Sequence, residues 1–229
     1  MGWIIPLIAS IISLALTYSL VKQYMIKKKT HQILYAISLF MFAIAAFSEF
    51  YAEAFGFTAF MYKLYYFSAI TLVPVMAAGT VYILAKQKRL FAHVFLAYVV
   101  LLSLWLLFLI IPVQSYNEII GQNIGVGGQG MPDEIRRFSF PLSGIGGIIL
   151  IVGALFSYWK TKFKGNLYIA AGAIVMATGG RLATMGLTIL LPLSELVGII
   201  LLYYGVVIHP ASFKTNNANN TESSLTDAG

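Results

Sequence analysis

The sequence predicts an all-α integral membrane protein with seven transmembrane helices. Hydrophobic residues make up 59% of the 229 positions and charged residues only 10%, whereas a soluble domain carries roughly 25% charged residues. The mean hydropathy is +0.84. Seven apolar runs, each near the roughly 20 residues that a spanning helix needs, alternate with polar connections.

The first three predicted helices follow one another through short turns. Helix one, at 2–24, is too long for a signal peptide and lacks both a basic start and a small-residue cleavage site. Helix two runs from about 33 to 57 and helix three from about 60 to 85. Lysine and arginine at 27–29 and at 86–89 mark the ends that share one side of the membrane.

Helix four, at 91–111, separates the first three helices from the last three. A long loop at 113–137 follows it, and helices five, six and seven are predicted at 138–159, 166–186 and 188–208. Residues 1–210 therefore form the predicted seven-helix domain. The tail at 211–229 is rich in Asn, Ser and Thr, has no apolar periodicity, and is predicted to be a disordered cytoplasmic segment.

The distribution of lysine and arginine predicts the orientation. Of the fifteen basic residues, eleven fall on one side, and Lys63, Arg136, Arg137 and Arg181 lie toward the other. Because cytoplasmic loops carry the excess of basic residues, the N-terminus is predicted outside and the C-terminus inside. The chain is thus a multi-pass cell-membrane protein whose partner is the lipid bilayer. The same clustering accounts for the net charge of +7 without a nucleic-acid partner.

The predicted outer loop contains a GxGxxG pattern between Gly125 and Gly130. A dinucleotide-binding loop with this pattern follows a strand and opens a helix, and neither is predicted here. We interpret the pattern as a flexible loop, or as a lid over an outward-facing pocket.

Five charged side chains are predicted at membrane depth: Glu49, Glu53, Lys63, Arg181 and Glu195. A charge there costs about 2.5–3.5 kcal/mol on insertion scales, so it usually has a partner or a function. The predicted helix directions place all five toward the outer face. Three acids against two bases leave one carboxylate over, which favours a pocket for a small polar or cationic ligand. The alternative is a buried ionic network that fixes the helix order and binds nothing.

Tyrosines accompany these charges. Tyr51, Tyr62 and Tyr66 are predicted members of the ligand-binding site, and Tyr65 lies nearby in the sequence. Their rings can wall a pocket or contact a bound cation. The alternative is that they form the interfacial aromatic belt of a membrane protein.

Small residues and residue spacing predict the packing. Ser143 with Gly147, and Ala173 with Ala177, favour close contact between helices five and six. Proline and charge spacings correspond between helices one to three and helices five to seven. This correspondence favours a 3+1+3 plan of two parallel repeats, with chance coincidence of rare residues as the alternative.

Several chemistries are excluded by what the sequence lacks. It has no cysteine, so it offers neither disulfides nor thiolate metal sites. His31, His93 and His209 are all predicted at cytoplasmic ends, which does not suit haem ligation by two histidines. HExxH and GxSxG are absent, and helix seven has no lysine for a retinal Schiff base. We predict no enzyme activity, no cofactor and no metal.

The basic turn KKKTH at 27–31 precedes LFMFAIAAFSEFYAEAF at 39–55 and MYKLYYFSAITLVPVMAAGTVYIL at 61–84. This third of the chain resembles the N-terminal seven-helix sensor region of some histidine kinases. The resemblance implies an outward ligand pocket and a cytoplasmic signal. No kinase domain follows in this sequence, so a signal would pass to a separate partner. The 3+1+3 layout is similar in topology to small SWEET-type sugar transporters, although Leu rather than Gln follows Pro6 and Pro141.

Three functional hypotheses follow. The first is a receptor or sensor that binds a small polar or cationic ligand between helices two, three, six and seven. The second is a small transporter that uses Glu49, Glu53 or Glu195 as a relay for protons or cations. The third is a non-catalytic subunit of a larger membrane complex.

Overall fold

The computed structural model describes residues 3–85, 88–114, 128–187 and 190–205. Within these ranges the regular structure is helical, with no strand, which confirms the predicted all-α class. The predicted disordered tail and the first half of the GxGxxG pattern, 125–127, lie outside the described residues.

Eight α-helices and one π-helical turn form the described chain. They are α1 Ile4–Lys27, α2 Thr30–Phe55, α3 Ala59–Leu84, α4 Arg89–Ile110, α5 Asp133–Arg136, the π-helical turn Phe140–Gly144, α6 Ile145–Thr161, α7 Gly165–Thr184 and α8 Leu190–Tyr203. The helix starts and ends therefore lie close to those that the sequence predicts, apart from the short α5 inside the predicted loop.

Five segments of the described chain are long and apolar enough to cross a membrane. They are α1, α2, α3, α4 and the segment Asp133–Lys160, which contains α6. The other two predicted spans are less complete. α7 is less apolar because Asn166 and Arg181 lie within it, and α8 is apolar but is described over only 14 residues. The structure therefore supports a membrane protein of several spans, and the count of seven stays a prediction.

Two lysine turns close α1 and α6 with the same backbone geometry. Lys28 (φ 51°) donates its N–H to the Tyr24 carbonyl at 2.8 Å, and Lys162 (φ 54°) donates to the Tyr158 carbonyl at 2.7 Å. A left-handed residue of this kind ends a helix and reverses the chain. We call the end of the bundle that carries these turns the basic end.

Six of the helices form a closed ring. Going around it, α1, α2, α3, α6, α7 and α8 each contact the next, and α8 contacts α1. Helix α4 lies outside the ring against α3. The ring therefore has an interior to which helices from both ends of the sequence contribute.

Helices α3 and α6 meet at a proline. Pro74 lies inside α3 and has no N–H to donate to the Ile70 carbonyl. The Ser143 hydroxyl donates to that carbonyl instead, at 2.8 Å. Gly146 makes this approach feasible, because a Cβ there would lie 2.7 Å from Pro74 Cα. The side chain of one helix thus satisfies the backbone group that the proline of another leaves open.

Helices α7 and α8 meet through glycine. A Cβ on Gly172 would lie 2.8 Å from the Gly198 carbonyl oxygen, and one on Gly198 would lie 3.0 Å from the Gly172 carbonyl oxygen. Helices α6 and α7 contact each other, as predicted for helices five and six. Ser143 and Gly146, however, face α3, and Gly172 faces α8.

The interior of the ring differs along its length. Toward the basic end, buried apolar side chains from five ring helices form one cluster, which includes Leu16, Leu20, Leu39, Met76 and Leu202. The opposite end is the start of α3 together with residues 128–137. We call residues 128–137 the strap and this end of the bundle the strap end.

Candidate functional site

Glu49 is buried inside the bundle near the strap end. It lies on α2, about one and a half turns before the helix ends at Phe55, and is only 2% exposed. Alanines at 45, 46 and 52 surround it on the buried face, and their small side chains let neighbouring helices come close to the carboxyl group. Among the described residues, its Oε1 has no hydrogen-bond partner.

Glu195 and Tyr65 approach Glu49 from two other helices. Glu195 is half-buried on α8, and its carboxyl group lies close enough to the Glu49 carboxyl group for the two charges to interact. Tyr65 is buried on α3, and its hydroxyl lies close to the same Glu49 carboxyl group. Residues far apart in the sequence thus lie close together in the fold. We call Glu49 and Glu195 the carboxyl pair.

This arrangement has definite chemical consequences. Two ionised carboxylates this close to each other repel, and burial removes the water that would screen their charges. A proton shared between the two groups, or a cation held between them, removes the repulsion. The Tyr65 hydroxyl adds one donor that can orient the Glu49 carboxyl group. The pair is therefore suited to hold a single positive charge.

Glu53 and Lys63 lie near this pair but play different parts. Glu53 is half-exposed one turn further along α2, close enough for its charge to act on Glu49. Lys63 is half-buried, and its Nζ donates to the carbonyl of Ile111 at 2.8 Å. Lys63 therefore joins the start of α3 to the end of α4.

Arg181 and Tyr51 are placed toward the surface. Arg181 is exposed near the end of α7. Tyr51 is half-buried on α2 and packs against the ring of Phe55, with ring centroids 5.2 Å apart. The groups described beside Glu49 are thus another acid, Glu195, and a tyrosine, Tyr65.

Tyr62 and Tyr66 are buried under the strap. The Tyr62 hydroxyl accepts a hydrogen bond from the backbone N–H of Gly130 at 2.8 Å. Gly128 sits over the ring of Tyr66, since a Cβ there would lie 2.9 Å from Tyr66 Cε2. These two predicted site residues therefore contact the strap, while the neighbouring Tyr65 contacts the carboxyl pair.

Tyr65 is the residue that sequence reasoning left out of the predicted site. Tyrosines at 62, 65 and 66 share one broad face of α3, because side chains three and four residues apart lie on the same side of a helix. The sequence gives no sign of which of the three meets Glu49, because all three residues are tyrosines. Only the rotation of α3 against α2 decides that Tyr65 is the one that meets Glu49.

The described cavities are apolar and lie elsewhere. One of about 20 Å³ lies in the basic half of the ring, between Leu16, Leu20, Leu39, Met76 and neighbours. Another of about 330 Å³ is a groove between α7 and α8, lined by residues such as Ile174, Leu182 and Val197. Neither is lined by Glu49 or Glu195.

In the described part of the chain, no group of three or more His, Cys, Asp or Glu side chains is arranged to hold a metal ion. Comparison of the chain with protein-family models, with curated proteins and with solved structures gives no match. The functional argument therefore depends on the geometry of the carboxyl pair.

Proposed function

We propose that this chain is a seven-helix membrane receptor or sensor that binds a small monovalent cation at Glu49 and Glu195. The observation that carries the proposal is the contact between two carboxyl groups inside a ring of apolar helices, with Glu49 2% exposed. An ionisable group in such a place is expensive to bury, and its usual justification is a ligand, an ion or a proton.

The proposed topology places the N-terminus outside and the basic end in the cytoplasm, as the excess of lysine and arginine favours. The carboxyl pair then lies nearer the outer face. The resemblance of 27–84 to histidine-kinase sensor regions favours a receptor. Its signal would leave through the cytoplasmic end.

The close approach of the two carboxyl groups favours the smallest cations. A proton, a sodium ion and a primary ammonium group share the chemistry that the pair offers, which is one positive charge between two carboxyl oxygens. They differ in size and in the number of hydrogen bonds they require, so a titration with each one separately distinguishes them.

The test is thermal unfolding of the full chain in detergent, titrated in turn with sodium, potassium and methylammonium chloride and with pH. A cation that binds the folded state raises the unfolding temperature as its concentration rises. We expect at least one of the four series to stabilise the wild type and to leave Glu49→Gln and Glu195→Gln unchanged. Choline chloride at equal ionic strength is the control. Equal shifts in the wild type and both variants in every series would refute cation binding at the pair.

A transporter is the second candidate, and the same pair favours it, because buried carboxyl groups between helices also serve as proton relays in transporters. Flux distinguishes the two. Vesicles that contain the protein and a pH-sensitive dye would acidify faster than empty vesicles under an imposed proton gradient if the pair conducts protons. A receptor would leave the rate at that of empty vesicles.

A further inference from the structure

The strap is amphipathic in a way that suits a removable cover. Its inner side chains, Met131 and Ile135, are 2% and 4% exposed and pack in one cluster with Tyr62, Tyr65 and Tyr66. Its outer side chains carry the charges, including an exposed ion pair between Arg136 and Asp133 at 3.2 Å. Lifting the strap therefore exposes apolar surface without breaking a buried charge pair.

Two contacts fasten the strap to α3. The Gly130 N–H donates to the Tyr62 hydroxyl, which is itself buried. Gly128 has a φ of +86° and lies against the Tyr66 ring, where a Cβ would be too close. A glycine is required at 128 for both reasons, because other residues rarely adopt this φ. The strap is thus seated at a defined position.

An unbroken series of contacts joins the strap to the carboxyl pair. The ring of Tyr62 packs edge-on against Phe57 at 5.1 Å, and Phe57 packs against Tyr65 at 6.0 Å. Tyr62 and Tyr65 also lie 6.3 Å apart. Tyr65 in turn reaches the Glu49 carboxyl group. Movement of the strap therefore changes the packing of a residue that contacts the site.

We propose that the strap is the gate of the carboxyl pair. A cation from the aqueous phase at the strap end reaches Glu49 and Glu195 when the strap lifts from Tyr62 and Tyr66. The Gly130–Tyr62 hydrogen bond is the latch that holds the gate closed. This inference rests on the proposed function, because it assigns the regulation of the same site.

The experiment compares two carbodiimides, reagents that add covalently to carboxyl groups. Dicyclohexylcarbodiimide enters through the apolar region of a micelle, whereas a water-soluble carbodiimide that carries a dimethylamino group comes from the aqueous phase. The full chain in detergent is treated with each one, and labelling of Glu49, Glu195 and Glu53 is followed over time by peptide mass spectrometry. Half-exposed Glu53 is the internal reference for reagent activity.

Two variants open the proposed gate. Tyr62→Phe removes the latch hydrogen bond and keeps the ring, and Gly128→Ala displaces the strap from Tyr66. Losing one hydrogen bond of ordinary strength should make the water-soluble reagent label the pair about fivefold faster. The rate with dicyclohexylcarbodiimide should stay that of the wild type. Tyr98→Phe is the matched control, because it removes a tyrosine hydrogen bond to the Pro141 carbonyl outside the strap.

The outcomes separate this inference from the proposed function. Three results would contradict the proposed gate. The first is an unchanged rate of labelling by the water-soluble reagent in both variants, and the second is an equal increase of that rate in Tyr98→Phe. The third is that neither reagent labels Glu49 or Glu195 in Tyr62→Phe and Gly128→Ala. Cation binding is tested independently by the unfolding titrations. The gate can therefore be refuted while cation binding is confirmed, and cation binding can be refuted while the gate is confirmed.

Discussion

The two halves of the helix ring are built from similar apolar residues but differ in what lies at the middle of each. The basic half encloses an apolar cavity, and the strap half encloses a buried acid. In the basic half, Leu16, Leu39 and Met76 enclose a cavity of about 20 Å³, and the hydroxyl of Tyr35, which also lines it, is hydrogen-bonded to Thr80 at 3.0 Å. In the strap half, Glu49 is 2% exposed and its Oε1 has no hydrogen-bond partner among the described residues. The interior is therefore apolar around the cavity of the basic half and holds a buried acid in the strap half.

This contrast separates an apolar region from a region that holds buried acids, and we propose that the second region serves binding. An apolar cavity whose lining hydroxyl, that of Tyr35, is already hydrogen-bonded needs no ligand. A buried carboxyl pair needs a positive charge, since neither acid can neutralise the other. Placing an acid in the basic half and an apolar residue at Glu49 should consequently have opposite effects on stability.

The largest effect is expected from a carboxyl group in the basic half. Leu16→Glu places an acid at a site that is 0% exposed and has no basic partner in the cavity lining. We expect a loss of roughly 3–5 kcal/mol, the usual result of an uncompensated buried charge. Thermal unfolding in detergent measures it. Leu16→Met is the matched control and should lose less than about 1.5 kcal/mol. A stable Leu16→Glu protein would mean that the basic half is not dry.

The reverse exchange should be tolerated. Glu49→Leu removes both the contact between two acids and an oxygen without a hydrogen-bond partner. Replacing buried ionic groups with well-packed apolar ones is often neutral or stabilising by about 1–4 kcal/mol. We therefore expect an unfolding temperature equal to or above that of the wild type, together with loss of the response to cations. A strongly destabilised Glu49→Leu would assign Glu49 to the structural framework.

The sequence predicts a good part of this picture. The apolar runs gave the helical class and nearly all the helix bounds, because a run of about 20 apolar residues has few other uses. Glu49 and Glu195 were identified by charge alone. The sequence could not show that these two acids meet each other, because helix rotation and the order of helices around a ring depend on contacts between distant residues. For the same reason the sequence could not show that Ser143 faces α3.

Two tyrosines sharpen the comparison. Tyr35→Phe in the basic half and Tyr65→Phe in the strap half each remove one hydroxyl from a buried ring. Each should lose about 1 kcal/mol of stability, the ordinary net contribution of a hydrogen bond. Only Tyr65→Phe should also alter the concentration of cation that half-stabilises the protein. An equal change of this concentration in Tyr35→Phe would show that the effect comes from a general loss of stability of the helix ring.

The smallest effect is expected at Glu53. It lies one turn from Glu49 on the same helix but is half-exposed, so water already solvates its carboxyl group. Glu53→Gln should change stability by no more than about 0.5 kcal/mol, as for most surface substitutions. The cation titration should keep its full amplitude in the unfolding assay. If Glu53→Gln lost the cation-dependent rise in unfolding temperature, Glu53 would belong to the binding site.

The most direct test of the carboxyl pair is infrared difference spectroscopy of its C=O stretch. The full chain is recorded in detergent while a stabilising cation is added at constant pH, and then while pH is varied without it. We predict a difference band in the wild type, from a change in the proton or cation held by the pair, that is absent from both Glu49→Gln and Glu195→Gln. A wild-type spectrum without such a band under any condition, or a band that survives in both variants, would contradict the assignment of Glu49 and Glu195 as a cation site.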